Sequence, residues 1–254
     1  MSLTRRDTIQ LAGLAGLVTM LPTVVRAQGQ ENVYAGGTGP IEIHPVQHAS
    51  FVMKAAGHTI YVDPDGPVAQ YASYGAPDLV LITHEHGDHF KPETLAGIVG
   101  ASTKLVVNPA VMAKLTDELK AKATQVANGE KTTAGSIEIE AVPAYNTTPE
   151  RLNFHPKGRD NGYVLTADGK RIYIAGDTED IPEMRALTNI DIAFVPMNLP
   201  FTMTPEKAAE AVAAFKPKVV YPYHYRGKEG MSDIDAFEKQ VGSAAQVVKG
   251  KWYK

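Results

Sequence analysis

Short apolar runs, each closed by turn-forming residues, recur along the chain from residue 41 onward. Residues 41–46, 51–54, 59–62 and 79–82 come first, and residues 104–107, 137–142, 162–165, 171–174, 192–195 and 218–221 follow. Their lengths, their Val, Ile and Tyr content and the flanking Gly, Pro and Asp predict β-strands. Helical periodicity interrupts the later group. Residues 110–119 form one such stretch, residues 205–215 another, and Ile234, Phe237 and Val241 mark the apolar face of a third. Thr204 is a natural N-cap for the second, with Pro205 at its first helical position. Strands first, then strands mixed with helices, predict an α/β fold of two sheets packed face to face with helices outside. The chain shows no clear sequence repeat and no heptads.

The first 40 residues carry a different pattern. Thr4-Arg5-Arg6-Asp7 is charged, residues 9–21 are apolar, and Val25-Arg26-Ala27 ends on small side chains. That three-part build predicts a secretory signal peptide over residues 1–27, too short to span a bilayer. The paired arginines and the Gly13 and Gly16 in its apolar segment resemble a twin-arginine signal, which implies export to the periplasm. Residues 28–40 are polar and Gly-rich and read as a flexible lead-in, leaving residues 41–254 as a single domain. A hydrophobic fraction of 44% against 21% charged residues fits a globular chain. The net charge of -3 gives no electrostatic reason to expect nucleic acid as a partner. No basic amphipathic helix is evident after residue 27, so no stable membrane insertion is expected once the signal is removed. There are no cysteines, so disulfides and thiolate ligands are excluded and any metal must be held by nitrogen and oxygen.

Chemistry concentrates directly after the apolar run Leu79-Val80-Leu81-Ile82. Thr83-His84-Glu85-His86-Gly87-Asp88-His89 holds three imidazoles and two carboxylates in seven positions. Neutral imidazole and carboxylate are ligands of borderline divalent cations such as zinc. His84 and His86 are too close in sequence to share a helical face, so they fit a loop at a strand end. The spacing H-x-H-x-D-H resembles the signature of metallo-β-lactamase-fold hydrolases. Two later stretches resemble that family in the family's own order: residues 171–178, ending Gly176-Asp177-Thr178, and residues 219–225, with Tyr223-His224-Tyr225. Gln47-His48-Ala49-Ser50-Phe51, Tyr61-Val62-Asp63-Pro64, Ala144-Tyr145-Asn146 and Pro196-Met197-Asn198 look most like its UlaG-like branch, which includes ascorbate-phosphate lactonase.

The resemblance implies a four-layer αββα sandwich with its site at one edge, between the sheets. It implies two divalent ions, zinc first, with manganese, nickel or iron as alternatives. His84 and His86 would bind the first ion, Asp88, His89 and His224 the second, and Asp177 would bridge them. Asp88 and Asp177 are the candidate catalytic carboxylates. One departure stands out: where most of the superfamily supplies a third histidine to the first ion, this chain has Ala144-Tyr145-Asn146. His155 is the nearest replacement, and Tyr145 or Asn146 could orient substrate through O–H or N–H donation. His48 is a candidate for a supporting or substrate-contacting role, and Asp63 for support of a ligand. The reaction expected is hydrolysis of a small ester, lactone or phosphodiester by cation-activated water. Two alternatives remain at this point. One is a redox member of the fold using iron, although two-iron members resemble H-x-E-x-D-H and His86 stands at the Glu position. The other is an exported metal-binding protein that has lost a ligand and with it catalysis.

Overall fold

A computed structural model describes residues 32–253. The expected signal segment, residues 1–27, lies outside the described residues.

Two seven-stranded sheets carry the architecture. The first contains, in spatial order, β1 (Val33–Ala35), β2 (Pro40–Gln47), β3 (Ser50–Ala55), β4 (His58–Val62), β5 (Leu79–Ile82), β6 (Lys104–Val107) and β7 (Ala123–Gln125). The second contains β8 (Lys131–Ala134), β9 (Ile137–Ala144), β10 (Asp160–Ala167), β11 (Lys170–Ile174), β12 (Ile192–Pro196) and β13 (Val219–Tyr223). A small hairpin, β14 (Arg226–Gly227) and β15 (Gly230–Met231), follows His224, and β16 (Gln246–Val247) completes the second sheet beside β13. Both sheets follow one plan. In each, four strands pair antiparallel and three more are added in parallel. The fold is therefore built from two similar halves, a repetition the side chains do not display.

The helices α1 (Pro92–Ile98), α2 (Pro109–Lys114) and α3 (Asp117–Lys120) lie in the first half, and α4 (Pro182–Arg185), α5 (Pro205–Phe215) and α6 (Ile234–Val241) in the second. Three apolar clusters define the layers. One, including Phe51, Met53, Leu81, Ile174, Phe194 and Tyr221, fills the space between the sheets. A second packs Val195 and Val220 of the second sheet against Val212, Phe215 and Phe237 of α5 and α6. The third packs Val80, Ile82 and Leu105 against Leu95, Val111 and Leu119 of the first three helices. Strand β5 shows why its run is wholly apolar: Leu79 and Leu81 enter the inter-sheet core while Val80 and Ile82 enter the helix-facing one. A strand buried on both faces has no solvent side to encode. This is the expected αββα sandwich.

Two expectations need correction. The stretch read as a flexible lead-in, residues 28–40, contributes β1 at Val33–Ala35, which pairs antiparallel with Pro40–Glu42. Gly36 and Gly39 serve a turn rather than a linker: Gly36 N–H donates to Gly39 O, and Thr38 and Gly39 N–H donate to the Asp168 carboxylate. The stretch read as one helix over residues 110–119 is two. Leu115 turns extended (ψ 147°) and Thr116 starts a new N-cap, its hydroxyl accepting from Leu119 N–H. A threonine that can cap competes with continuing the helix. The capping of α5 by Thr204, with Pro205 following, is as expected.

The ring of Phe194 stacks on Phe51 across the two sheets at 4.3 Å and on Tyr221 at 5.0 Å, and it is fully buried. Phe194→Ala is expected to destabilise the fold by about 3–5 kcal/mol. A chemical denaturation curve would show this as a lower midpoint at unchanged slope. A loss below about 1 kcal/mol would mean that the sheets are not joined there.

Candidate metal centre

Several candidate residues stand just beyond strand ends. Asp63 follows β4, His84 follows β5, Asp177 follows β11 and His224 follows β13. The loop after β5 turns back on itself, with His89 and Phe90 N–H both donating to His86 O. Backbone strain gathers here. His48, Asp63 and His224 all adopt positive φ (49°, 43° and 48°), which non-glycine residues take up only where the surroundings enforce it. Gly176, at φ 65°, is so tightly held between β10 and the end of β5 that a Cβ would meet Asn161 O at 2.8 Å and Thr83 Cβ at 3.1 Å.

Three groups of side chains bring ligand-type atoms within 4.8 Å of one another: His84, His86 and His155; His48, Asp88 and His224; and His84, His89 and Asp177. His155, farther along the loop after β9, thus joins His84 and His86 where Ala144-Tyr145-Asn146 offers no histidine. Asp177 stands between the groups. Its Oδ2 is 3.3 Å from His155 Nε2, while its Oδ1 is 3.4 Å from His89 Nε2 and 3.3 Å from His224 Nε2. Asp88 Oδ2 lies 3.5 Å from His224 Nε2 and 3.3 Å from His48 Nε2.

Behind this cluster, buried carboxylates fix the rings. Asp63 accepts from Thr83 N–H and Thr83 Oγ1–H and meets His89 Nδ1 at 2.8 Å. Asp160 meets His155 Nδ1 at 3.0 Å and is itself held by Arg159. An ionised carboxylate only accepts, so Nδ1–H donates in both cases and Nε2 turns toward Asp177. His84 Nε2, His89 Nε2 and Asp177 Oδ1 are buried with no hydrogen-bond partner among the described residues. Buried lone pairs left unmatched are costly, and a divalent cation satisfies several at once. The donor set fits zinc-type ions: imidazole nitrogen and carboxylate oxygen, without thiolate.

Charge follows the same geometry. Burial and the neighbouring His89 hold His84 well below the ordinary imidazole value, and burial with His155 lowers His86. Burial opposes the cation at His155, yet bonds to Asp160 and Asp177 lift it to about 9. At His224 burial is likewise outweighed, by Asp177 and Asp88, and the ring rises to about 10. Burial would raise Asp177, but His224, His89 and His155 hold it well below the usual carboxylate range. Asp88, against the pull of burial, is held far below that range by His89, His224 and His48.

Two candidate substrate groups brace the loop. The Tyr145 hydroxyl donates to Glu183 and accepts from Lys157. Asn146 donates its amide to Arg151 O and Phe201 O, and its backbone N–H donates to His155 O. These bonds hold the segment that delivers His155, while Asn146 Oδ1 is buried with no partner among the described residues. Glu179 braces the same segment. It accepts from Thr147 and Thr148 N–H and from Arg151, and these bonds outweigh burial to hold it down to about 2. Sequence reading missed Asp160 and Arg159. The polar triplet Arg159-Asp160-Asn161 opening an apolar strand was the available signal. Arg159 has only donors, so its 3.3 Å contact uses the His86 Nε2 lone pair. A cation at His86 must displace that contact.

Comparison with known proteins agrees with this geometry. Residues 42–224 match the Beta-lactamase superfamily domain. The UPF0173 metal-dependent hydrolase PYRAB05000 of Pyrococcus abyssi is 32% identical over 219 residues, covering 82% of this chain and 95% of that protein. A crystal structure of a protein named as a metal-dependent hydrolase, from Parabacteroides distasonis, superposes with a TM-score of 0.80 at 41% identity, over 87% of this chain and 98% of that one. Igni18, named a metallo hydrolase, from Ignicoccus hospitalis, gives 0.68 at 25% identity, over 82% and 93%. The chain belongs to the UPF0173 metal-dependent hydrolase family, within the metallo-β-lactamase superfamily.

With His155 and His224 lifted to about 9 and about 10, both rings are protonated at neutral pH before a cation arrives. Zinc binding at pH 7 is therefore expected to expel about two protons per chain, and affinity should tighten as pH rises toward those values. Calorimetry in buffers of different ionisation enthalpy counts the protons. A count near zero would mean that these two imidazoles do not meet the metal.

Proposed function

We propose that this protein is a dinuclear hydrolase of small esters, lactones or phosphodiesters, with zinc as its preferred ion. In this reading His84, His86 and His155 hold one cation, Asp88, His89 and His224 hold the other, and Asp177 lies between them. The observation that carries it is the two-sided position of Asp177, one oxygen 3.3 Å from His155 and the other within 3.4 Å of both His89 and His224. When bound, such cations acidify water and polarise the substrate oxygen.

The chain's own residues supply the rest. Asp88 is the accessible carboxylate of the cluster, its side chain 42% exposed and kept ionised by three imidazoles. In this reading it accepts a hydrogen bond from the attacking water and orients it toward the substrate's carbon or phosphorus. Asp63 and Asp160 keep His89 and His155 in the tautomer with Nε2 available. The UlaG-like stretches around His48 and Asp63 support a hydrophilic small molecule as substrate. The reading as a non-catalytic metal binder rested on a missing third histidine, and the position of His155 beside His84 and His86 takes away that support.

Export belongs to the same proposal. The Arg5-Arg6 start, the apolar segment and Val25-Arg26-Ala27 favour a periplasmic enzyme delivered by a twin-arginine route. Cell fractionation should recover the protein in the periplasm, and in the cytoplasm when Arg5 and Arg6 are both changed to Lys. Periplasmic recovery of that double variant would sink the twin-arginine route.

Elemental mass spectrometry of the metal-loaded protein tests the centre. Two ions per chain are expected, falling to one in His155→Ala, with hydrolysis of an ester, lactone and phosphodiester panel lost in His86→Ala. A single ion unchanged in His155→Ala would refute the dinuclear site. Full activity in His86→Ala would refute the catalytic reading.

A further inference from the structure

A second polar feature borders the centre, at the chain's last described residues. Trp252 is buried against Phe51, Phe194 and Tyr223, fixing this segment to the inter-sheet core. Tyr253 is thereby brought to His48, its hydroxyl 2.7 Å from Nδ1. The same hydroxyl accepts from Arg226 N–H, and the Arg226 guanidinium lies 4.3 Å over the Tyr253 ring. Asp88 can only accept at 3.3 Å from His48 Nε2, so a neutral His48 carries its proton on Nε2 and takes the Tyr253 proton at Nδ1.

These groups wall a cavity of about 410 Å³ that also reaches Gln47, Asp65 and Gln70. Its charges are unequally matched. Asp65 is engaged by Gln47 Nε2 at 3.0 Å and by Lys91 at 3.7 Å. The Arg226 guanidinium has no carboxylate partner among the described residues, only the aromatic face beneath it. Stacking of that kind fixes the plane of a guanidinium and leaves its N–H fork open, the arrangement suited to a carboxylate or phosphate oxyanion. The Trp252 indole N–H, in the same wall, is buried with no acceptor. His48 is the partition between this cavity and Asp88.

We propose that this cavity is the substrate-recognition site, and that it selects small polar substrates bearing a carboxylate or phosphate oxyanion. Arg226 holds that oxyanion, while Tyr253 positions His48 between the anchor and the reacting end. The inference rests on the hydrolase reading for its reaction but not for its binding step. Trp252 is the chain's only tryptophan, so its fluorescence reports occupancy of the cavity without turnover.

The test titrates the metal-loaded protein with acetate, inorganic phosphate and neutral acetamide, in the parent, Arg226→Ala and Arg226→Lys. Saturable change is expected with the two anions and not with acetamide. Affinity should fall about tenfold or more in Arg226→Ala and return in part in Arg226→Lys. The stronger of the two anions identifies whether carboxylate or phosphate is the natural group. In parallel, KM for a charged ester should rise about tenfold more than KM for its neutral isostere in Arg226→Ala. Equal anion binding by parent and Arg226→Ala, or no anion-dependent signal, would overturn the proposal. Anion binding that depends on Arg226 in a protein that hydrolyses nothing would uphold the recognition site and overturn the hydrolase reading alone.

Discussion

Burying four imidazoles and three carboxylates at one end of a sandwich is tolerable only if their lone pairs and charges are matched. Water cannot do it, because His84, His89 and Asp177 are all but sealed from solvent. The protein meets the constraint in two layers. Asp63 and Asp160 neutralise the outer nitrogens of His89 and His155, and Asp177 faces the inner ones. The inner layer is left with unmatched buried atoms, which is the state a divalent cation resolves. The rest of the fold follows as support: strand ends that fix each ligand, positive-φ residues that aim them, and a loop held by Glu179 that carries His155 inward.

The two similar halves explain how one edge collects so many groups. In each half the parallel strands end at the same side, so side chains placed just beyond them converge. Asp63 and Asp177 follow the fourth strand of their respective halves, yet one backs a histidine and the other stands among them. A repeated backbone thus supports two different tasks. One local difference is the Gly176 turn, where the absence of a side chain lets the backbone before Asp177 pass close to Thr83 at the end of β5.

The architecture was readable because most strands are buried on one or both faces, and burial writes apolar runs into the chain. What could not be read were the polar edges. Strands β1, β7 and β8 are partly exposed and carry Tyr, Thr and Lys, so nothing in their pattern demands a sheet. The repetition of halves was invisible because it lives in hydrogen-bond order rather than in side chains. Within the candidate centre, His84 to His89 stood out because they are neighbours in sequence. Asp160, Arg226 and Tyr253 gained meaning only through partners far along the chain, and local spacing carries no trace of such contacts. Tyr145 and Asn146 were legible by place, but the bonds through which they brace the loop are again made to residues farther along the chain.

A chain without cysteine forgoes covalent disulfide staples. Yet its candidate ligands come from both halves, His84, His86, Asp88 and His89 from one and His155, Asp177 and His224 from the other. A cation gripped by both would close a long loop of backbone, and closing such a loop removes freedom from the unfolded chain as a disulfide does. Catalytic ions would then double as the protein's cross-link. Unlike a disulfide, that fastening answers to metal supply and not to the redox state of its compartment.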